Sequence, residues 1–373
     1  MSKIMRAIGL MSGTSLDGID VALIETDGGM RVSRGPSLMV PYDAIMRQQL
    51  AEALEQARAL KERAVRPGRL AATEQRLTEL HAVAVSEFLR THAVASSSID
   101  VIGFHGQTVL HRPEAGLTMQ LGDGQLLADT TRLPVVFDMR AADVAAGGQG
   151  APLVPIYHFA LTANRPERPL AIINIGGVAN VTWIGRDGRL IAFDTGPGNA
   201  LIDDWMLKRS NQTFDDGGAC AARGRADDDA VHAYLNDPFF AAAAPKSLDR
   251  NAFDAGLVAR MGLEDGAATL TAFTASAIAK AREHMPEEPA LWIVAGGGRR
   301  NKTLMRMLAG RVQNAVVPSE AAGLDGDSLE AEAWAYLAVR SLRGLPLTFP
   351  GTTGVASPLT GGVLALPKAP LVH

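Results

Sequence analysis

Residues 4–25, IMRAIGLMSGTSLDGIDVALIE, place a turn of small polar and glycine residues between two apolar runs. Aliphatic runs of this length predict strands, and the Ser-Gly-Thr-Ser segment between them predicts a turn. Residues 171–193, AIINIGGVANVTWIGRDGRLIAF, repeat the order strand, glycine turn, strand, turn and strand. The repeat is much longer than the roughly 20–50 residues of a solenoid unit, so it predicts two related α/β lobes.

The rest of the chain supplies helices around these strands. Further strands are predicted at 100–104, 134–137 and 291–295, and residues 145–151 (AAGGQGA) have the composition of a linker. Helical patterns cover 43–63, 69–93, 200–209, 228–236, 266–285 and 329–343. Strands alternating with helices predict an α/β fold of mixed sheets flanked by helices, with ligands expected in the cleft between the lobes.

Composition excludes several classes of protein. The 36 Lys and Arg against 40 Asp and Glu give a net charge of −4, which argues against nucleic-acid binding. The single cysteine, Cys220, allows no intrachain disulfide and no cysteine-rich zinc site. No signal-peptide pattern and no membrane-spanning run of about 18 apolar residues occurs. We therefore expect a cytoplasmic protein that does not bind membranes.

Glycine-rich segments follow four predicted strands, at 12–18, 176–177, 194–199 and 296–298. Backbone N–H groups without neighbouring Cβ atoms can cradle phosphate oxygens. Each segment alone is more typical of a tight turn, but four of them at strand ends favour a nucleotide site. The chain has no GxxxxGK[ST], GxGxxG, HExxH or GxSxG motif. The sequence thus favours a nucleotide site built without a lysine-bearing phosphate loop.

Two lobes with glycine phosphate turns resemble the superfamily of actin, hexokinase and the large heat-shock ATPases. Within it, the chain resembles the anhydro-N-acetylmuramic acid kinase family. The resemblance rests on GLMSGTSLDGIDVAL (9–23), FHGQTVLHRP (104–113), QLGDGQLLA (120–128), NIGGVANVTWI (174–184), FDTGPGNALID (193–203) and AGGGRRN (295–301). It implies two actin-like, ribonuclease H-like lobes, with residues 1–140 and about 344–373 in lobe I and residues 141–343 in lobe II.

The resemblance implies that ATP and Mg²⁺ bind to these segments. The N-terminal ATP loop would comprise Gly13, Thr14, Ser15, Leu16, Asp17, Gly18, Ile19 and Asp20. Gly176 and Gly177 would form a second phosphate contact, and Gly296, Gly297 and Gly298 the loop on the adenosine side. Two carboxylates beside polyanionic ATP imply a cation between them, so Asp17 and Asp20 are the expected magnesium ligands, while each could instead cap the turn.

The implied reaction opens the 1,6-anhydro bridge of the sugar with water and phosphorylates the freed O6 with ATP, giving N-acetylmuramic acid 6-phosphate and ADP. Asp194 matches the family's catalytic base, which would take a proton from the attacking water. Read without the resemblance, Asp194 is equally typical of an Asx turn before Gly196-Pro197. The cellular role implied is the reuse of cell-wall fragments.

The expected sugar-binding residues are polar side chains at strand ends and helix starts. They are His105, Gln107, Thr108, Arg140 and Glu330, with Asp138 beside them. Arg140 could pair with the lactyl carboxylate of a muramic sugar. The alternatives are an Asp138–Arg140 structural ion pair, a turn histidine at 105, and a solvated glutamate in the first turn of a helix.

The resemblance also implies a homodimer. One departure occurs at Pro245-Lys246-Ser247-Leu248-Asp249-Arg250, where the family's PKSTGRE stretch has Thr-Gly in place of Leu-Asp. Two other functions remain open at this point. One is a conventional hexose kinase in which Asp194 deprotonates a sugar hydroxyl, and the other is an ATP-dependent chaperone or filament protein.

Overall fold

The structure is a computed structural model that describes residues 3–13 and 15–369. The chain divides into two compact units, with the cuts between Ala163 and Asn164 and between Asp327 and Ser328. Unit 2 is Asn164–Asp327, and unit 1 comprises the described residues on either side of it. Residues 141–163 and 328–343, expected with the second lobe, therefore pack with unit 1.

Within the described residues, twelve strands and twelve α-helices form the two units. The strands are β1 (Met5–Ser12), β2 (Gly18–Thr26), β3 (Val32–Pro41), β4 (Val101–Arg112), β5 (Leu117–Leu121), β6 (Val135–Phe137), β7 (Leu170–Ile175), β8 (Val178–Ile184), β9 (Leu190–Pro197), β10 (Leu291–Ala295), β11 (Ala315–Pro318) and β12 (Val363–Ala365). The helices are α1 (Ala44–Ala57), α2 (Leu70–Thr91), α3 (Gly124–Thr131), α4 (Ala141–Ala145), α5 (Pro155–Leu161), α6 (Ala200–Ser210), α7 (Asp228–Leu235), α8 (Pro238–Ala241), α9 (Leu263–Lys280), α10 (Lys302–Ala309), α11 (Leu329–Leu342) and α12 (Pro350–Thr353).

The sheet of unit 1 has the order β12-β6-β4-β1-β2-β3, with β5 added on β4. β1, β2 and β3 are antiparallel neighbours, whereas β4 runs parallel to β1 and β6 parallel to β4. The sheet of unit 2 has the order β11-β10-β7-β8-β9, again with three antiparallel strands followed by two parallel ones. The predicted repeat is therefore confirmed at the level of strand order, as is the α/β class with mixed sheets.

Two glycines set how closely α11 lies on the sheet of unit 1. Gly9 and Gly103 are paired in register on the parallel strands β1 and β4. A Cβ at Gly9 would lie 1.8 Å from the carbonyl oxygen of Ala331, and one at Gly103 2.0 Å from that of Trp334. The helix backbone can rest on the sheet because neither strand has a side chain at this point.

Unit 2 is built around α9, whose residues from Gly266 to Ala275 are all buried. Its alanines and threonines leave room for neighbouring aromatic rings: Tyr234 stacks on Phe273 at 4.5 Å, and Phe253 meets the same ring edge-on. Small residues on a buried helix allow such close packing of bulky partners. This core supports β9 and the start of α6, where the glycine segment 194–199 lies.

The structure departs from the sequence-based expectations in several places. Residues 105–108 continue β4 rather than follow it, because β5 pairs with this extension. Strands β3, β5, β11 and β12 and helices α3, α4, α5, α8, α10 and α12 were not predicted. Residues 145–151 are not the linker between the units, since the carboxylate of Asp143 accepts from Gly150 N at 2.7 Å and from Thr353 Oγ1 at 2.7 Å.

None of the helices in the described part of the chain is long and apolar enough to cross a membrane. Cys220 is buried, as expected of a cysteine without a reactive role, and burial raises the pKa of its thiol.

Candidate functional site

The turn between β1 and β2 is held by Ser12 of β1 and by side chains from two other parts of unit 1. Ser12, the last residue of β1, donates its hydroxyl to Gln107 Oε1 at 2.7 Å and lies 2.7 Å from the Tyr42 hydroxyl. Since the single proton of Ser12 is used by Gln107, Tyr42 is the donor in the second bond. Gln107 also donates from Nε2 to Gly13 O at 3.1 Å, so one buried amide fixes two residues of the turn.

The remaining residues of this turn keep their polar groups near the surface. Thr14 lies outside the described residues. Ser15 is exposed and donates to Asp17 Oδ1 at 2.7 Å, and Leu16 adopts a left-handed conformation with φ of 55°. Gly18 and Ile19 are buried at the start of β2, where a Cβ at Gly18 would lie 2.4 Å from Val40 O. Of the ATP-loop residues the structure describes, Gly13 and residues 15–17 form the open turn, and residues 18–20 belong to the sheet.

Two carboxylates act on Tyr42 from this turn. Burial raises the pKa of Tyr42, and the negative charges of Asp17 and Asp20 raise it further, which places both carboxylates near the same hydroxyl. Among residues 3–13 and 15–369, no group of three or more His, Cys, Asp or Glu is arranged to hold a metal. A magnesium ion suits this turn, because Mg²⁺ takes one or two protein carboxylates and completes its shell with water and phosphate oxygens.

His105 and Arg140 meet in a second cluster of unit 1. His105 contacts Ser12 O through Nδ1 at 3.1 Å, and its Nε2 lies 3.3 Å from an Arg140 guanidinium nitrogen. Nδ1 therefore carries the proton and Nε2 accepts from the arginine. Burial, and then the charge of Arg140, hold the pKa of His105 well below its usual value, so the ring is neutral. Trp334 of α11 completes the cluster, with its ring 4.6 Å from that of His105 and 5.2 Å from the guanidinium carbon.

Arg140 is the charged centre of this cluster. Burial lowers its pKa to about 10, and the negative charges of Glu330 and Asp143 oppose that shift. The carboxylate of Glu330, in the first turn of α11, thus favours the charged form of Arg140 and is not only a solvated surface group. The expected Asp138–Arg140 ion pair is not the one formed, because Asp138 pairs with Arg63. Arg140 instead donates to Gly150 O at 2.8 Å.

A cavity of about 180 Å³ opens beside His105 in unit 1. Its lining includes Phe104, Gln120 and Asp138 together with two arginines, Arg63 and Arg66. Thr108, expected in the sugar site, lies in this region, because its Oγ1 is 3.4 Å from His105 Nε2 and accepts from the Gln120 amide at 3.2 Å. Sequence reasoning missed both arginines, because they lie in an irregular segment between α1 and α2 that carries no motif.

In unit 2, three glycine segments meet at the carboxyl end of β7. The amides of Gly198, Asn199 and Ala200 donate to the carbonyl oxygens of Gly176 and Gly177 at 2.8–3.2 Å. A Cβ at Gly198 would lie 2.2 Å from Gly176 O, so the two turns touch backbone to backbone. The segment 176–177 and the segment 194–199 are therefore one folded feature.

The third segment joins them from β10. Ala295, the last residue of β10, pairs with Asn174 of β7 in parallel register. The turn that begins at Gly296 therefore lies beside the turn that begins at Gly176. Gly296 has φ of 72°, and a Cβ there would lie 2.4 Å from Asn174 Oδ1. A Cβ at Gly297 would have Asn199 Nδ2 at 3.7 Å and one at Gly298 would have Ile175 Cγ2 at 2.4 Å. The predicted phosphate and adenosine segments of unit 2 are thus brought together.

Asp194 lies near the end of β9 and is held by a separate segment. Its backbone N–H donates to Lys246 O at 2.9 Å, and its Oδ2 accepts from Leu248 N at 2.8 Å. Desolvation raises the pKa of Asp194 to about 7, against a lowering by the Leu248 N–H bond. A carboxylate with a pKa near neutrality can accept a proton and release it again at physiological pH.

The atypical 245–250 stretch is therefore part of the Asp194 environment. Leu248 stands where the family pattern has threonine, yet it serves Asp194 through its backbone N–H, which either residue supplies. Asp249 uses its carboxylate to accept from Asn251 N at 2.7 Å. The departure in sequence leaves the contact to Asp194 intact.

A family model described as anhydro-N-acetylmuramic acid kinase matches residues 5–367. A relative from Rhizobium etli named anhydro-N-acetylmuramic acid kinase is 54% identical over 370 residues, covering 98% of this chain and 100% of that protein. A relative of the same name from Azorhizobium caulinodans is 56% identical over 369 residues, covering 97% of this chain and 100% of its own. This chain belongs to the anhydro-N-acetylmuramic acid kinase family. It is accordingly a sugar kinase, a phosphotransferase with an alcohol group as acceptor, and the chaperone and filament alternatives fall away.

Among solved structures, the chain aligns with a protein of low sequence identity. Component A of (R)-2-hydroxyglutaryl-CoA dehydratase from Acidaminococcus fermentans aligns over 90% of this chain and 99% of its own, with 13% identity and a TM-score of 0.48.

Proposed function

We propose that this chain opens the anhydro bridge of 1,6-anhydro-N-acetylmuramic acid with water and transfers the γ-phosphoryl group of ATP to the freed O6. The observation that carries the proposal is the desolvated Asp194, the first residue of the glycine segment 194–199. Its pKa of about 7 suits a general base. Family membership supports the sugar and the kinase chemistry. The N-terminal turn of unit 1 and, in unit 2, the amides of Gly177, Gly297 and Gly298 would each supply backbone N–H groups to phosphate oxygens.

The step balances as a single hydrolysis coupled to phosphoryl transfer. A water oxygen bonds to C1 while Asp194 takes one water proton, and the C1–O6 bond breaks with its electron pair on O6. O6 then bonds to the γ-phosphorus, the bond to the β-phosphate oxygen breaks, and ADP leaves. The products are N-acetylmuramic acid 6-phosphate, ADP and a proton that Asp194 later releases to solvent.

Two groups of residues would orient the reactants. Asp17 and Asp20 would hold Mg²⁺, which offsets the charge of the phosphates when bound. In unit 1, the neutral His105 and Thr108 would bind sugar hydroxyls and the acetamido group, and the fully buried Gln107 would shape the turn beside them. Arg140, with its guanidinium stacked on Trp334 and paired electrostatically with Glu330, would bind the lactyl carboxylate.

The test is ADP release by the purified enzyme with Mg²⁺-ATP and 1,6-anhydro-N-acetylmuramic acid, N-acetylmuramic acid or glucose. Turnover is expected only with the anhydro sugar. In ¹⁸O-labelled water, the product should carry one ¹⁸O on the sugar and none in the phosphate. Equal turnover with an ordinary hexose would make the chain a conventional hexose kinase, and an absence of sugar-dependent ADP release would overturn the proposal.

Asp194→Asn is the matched variant for the base. Its amide oxygen can still accept from Leu248 N, so the geometry is kept while the proton acceptor is lost. We expect turnover to fall by about 10³-fold or more, within the range of losses seen when a general base is removed. Asp187→Asn, in the exposed turn at the other end of β9, is the control and should retain full activity.

The proposal extends to the cellular setting. An anhydro-muramic sugar is a fragment of peptidoglycan, so the enzyme would act in cell-wall recycling, in the cytoplasm where ATP is supplied. We also propose a homodimer, which sedimentation of the purified protein would confirm or replace with a monomer.

A further inference from the structure

The side chain and the main chain of Lys246 contact different parts of unit 2. Its ammonium group donates to Phe239 O at 2.8 Å and to Phe240 O at 3.1 Å, the carbonyls of α8. It lies 3.1 Å from Nε2 of His284 and 4.6 Å from the centre of the Phe239 ring. The lysine side chain is therefore fixed at its far end by two carbonyl dipoles and an aromatic face.

The main chain beside this anchor bounds Asp194 on two sides. Lys246 O accepts from the Asp194 backbone N–H, and Leu248 N, two residues later, donates to the Asp194 carboxylate. The intervening Ser247 is exposed, and the segment belongs to no helix or strand of the structure. A segment without regular hydrogen bonding keeps a single position only through its anchors, and the Lys246 ammonium supplies two hydrogen bonds of this kind.

We infer that Lys246 is a positioning residue for Asp194, which acts by tying the segment 246–248 to α8 so that Leu248 N–H stays on the carboxylate. The inference rests on the proposed role of Asp194 as the base. Lys246 does not need to touch substrate, because its effect passes through the backbone that it holds. Removing the anchor should free the segment and take the Leu248 N–H away from Asp194 Oδ2.

The direction of the effect follows from the hydrogen bond. An N–H donor favours the ionised carboxylate, so its loss leaves desolvation unopposed and the pKa of Asp194 rises. The charged and titratable groups that face Lys246 are Lys280 at the end of α9, and Glu283 and His284 in the turn that follows. Lys280 is paired with Glu283 at 2.8 Å, so its charge is already balanced.

The experiment compares three variants of the full-length enzyme across pH. Lys246→Met keeps an unbranched apolar side chain but loses the ammonium that faces Phe239. Lys246→Arg restores a donor, and Lys280→Met removes a neighbouring charge without touching the anchor. For Lys246→Met we expect the acid limb of kcat to move up by about one pH unit, so that kcat falls about tenfold at pH 6 and less than about twofold at pH 9. Lys246→Arg should recover most of the shift, and Lys280→Met should keep the native profile.

A second readout separates this inference from the proposed reaction. The Asp194 carboxyl carbon, identified by its absence from the ¹³C spectrum of Asp194→Asn, can be titrated directly in each variant. A Lys246→Met protein whose Asp194 titrates at a higher pH supports positioning even if Asp194 proves not to be the base. A folded Lys246→Met protein with an unmoved Asp194 titration, or a uniform loss of activity at all pH values, overturns the inference. An equal shift in Lys280→Met would do the same, since it would trace the effect to charge and not to the anchor.

Discussion

The two units hold the first turn of the same strand order by different means. In unit 1, the turn after β1 is fixed by side chains: Ser12, Tyr42 and Gln107 form a buried chain of hydrogen bonds. In unit 2, the turn after β7 is fixed by backbone, because amides of 198–200 donate directly to Gly176 and Gly177. The two units therefore share a strand order but differ in the interactions that hold the first turn.

Because of this difference, the two turns are sensitive to different kinds of substitution. Side-chain bracing leaves Ser15 and Asp17 exposed, and it depends on Ser12 at the end of β1 and on Tyr42 and Gln107 from distant parts of the chain. Backbone bracing depends on the absence of a Cβ atom at Gly198, where one would lie 2.2 Å from Gly176 O, so this position leaves no room for substitution. Unit 1 should thus respond mainly to the loss of hydrogen bonds, and unit 2 mainly to added volume and to the buried charge at Asp194.

The largest effect on stability is expected at Asp194 itself. Its pKa in the folded protein is about 7 against an ordinary 3.8, so the folded state is penalised once the unfolded chain ionises. This penalty is absent below pH 3.8, grows as the pH rises toward 7 and is constant above it. Asp194→Asn should therefore raise the stability of unit 2 by about 2–4 kcal/mol at pH 8, and by almost nothing at pH 4.

Amide hydrogen exchange read separately for each unit measures this prediction. The gain should appear in β9 and the segment 246–248, while β1 and β2 of unit 1 serve as the internal control. Equal exchange protection in the two proteins at pH 8 would mean that Asp194 is not desolvated in the folded state.

The second effect tests the backbone bracing of unit 2. Gly198→Ala would place a Cβ 2.2 Å from Gly176 O, and a carbonyl oxygen of a neighbouring turn cannot move aside alone. We expect a loss of about 2–3 kcal/mol of stability in unit 2, the cost of forcing extra volume into a packed site. ADP release with the anhydro sugar should fall with it.

Gly310→Ala in the same unit is the matched control. Its φ of −73° suits alanine, and the nearest atom to the new Cβ would be at 3.6 Å, so stability should change by less than about 0.5 kcal/mol. If both variants behave alike, backbone contact does not limit the 198 position.

Features that depend on a local sequence pattern could be predicted from the sequence. The repeated strand–turn–strand order, the helices α2, α6, α9 and α11, and the glycine segments of unit 2 were all predicted from the chain, and the structure brings those segments together. At Gly176, Gly198 and Gly296, the absence of a side chain allows the backbone of another segment to approach closely. The family follows from the same segments.

Features that depend on distant partners could not be predicted in this way. The extension of β4 through His105 requires β5 as its neighbour, and the ion pair of Asp138 with Arg63 joins residues 75 positions apart. The roles of Tyr42, Trp334 and Lys246 carry no local signal either, since each acts by contact with a residue far along the chain. The division between the units also lies outside the small-residue segment 145–151, because Asp143 and Thr353 hold that segment within unit 1.

The third prediction tests the side-chain bracing of unit 1. Gln107→Met has nearly the same volume but removes the acceptor for Ser12 and the donor for Gly13 O. Because it leaves buried polar groups without their partner, we expect a loss of about 1–3 kcal/mol in unit 1 and faster exchange of the amides around 12–18. Gln48→Met, in the exposed face of α1, should have no measurable effect on either unit.

The smallest effect is expected from Tyr42→Phe, which removes one hydroxyl from the same network. Ser12 keeps its bond to Gln107, so only the acceptor site of its oxygen is left unfilled, and the expected loss is about 0.5–1.5 kcal/mol, confined to unit 1. The Tyr42 hydroxyl also faces the charges of Asp17 and Asp20, so its removal tests whether those carboxylates depend on it for their position. The measurement is the apparent magnesium affinity during turnover beside amide exchange at 12–18. If exchange accelerates while the magnesium affinity stays native, the network shapes the backbone of the turn and the carboxylates are positioned by β2. If both change together, the side-chain bracing of unit 1 extends to its proposed cation site.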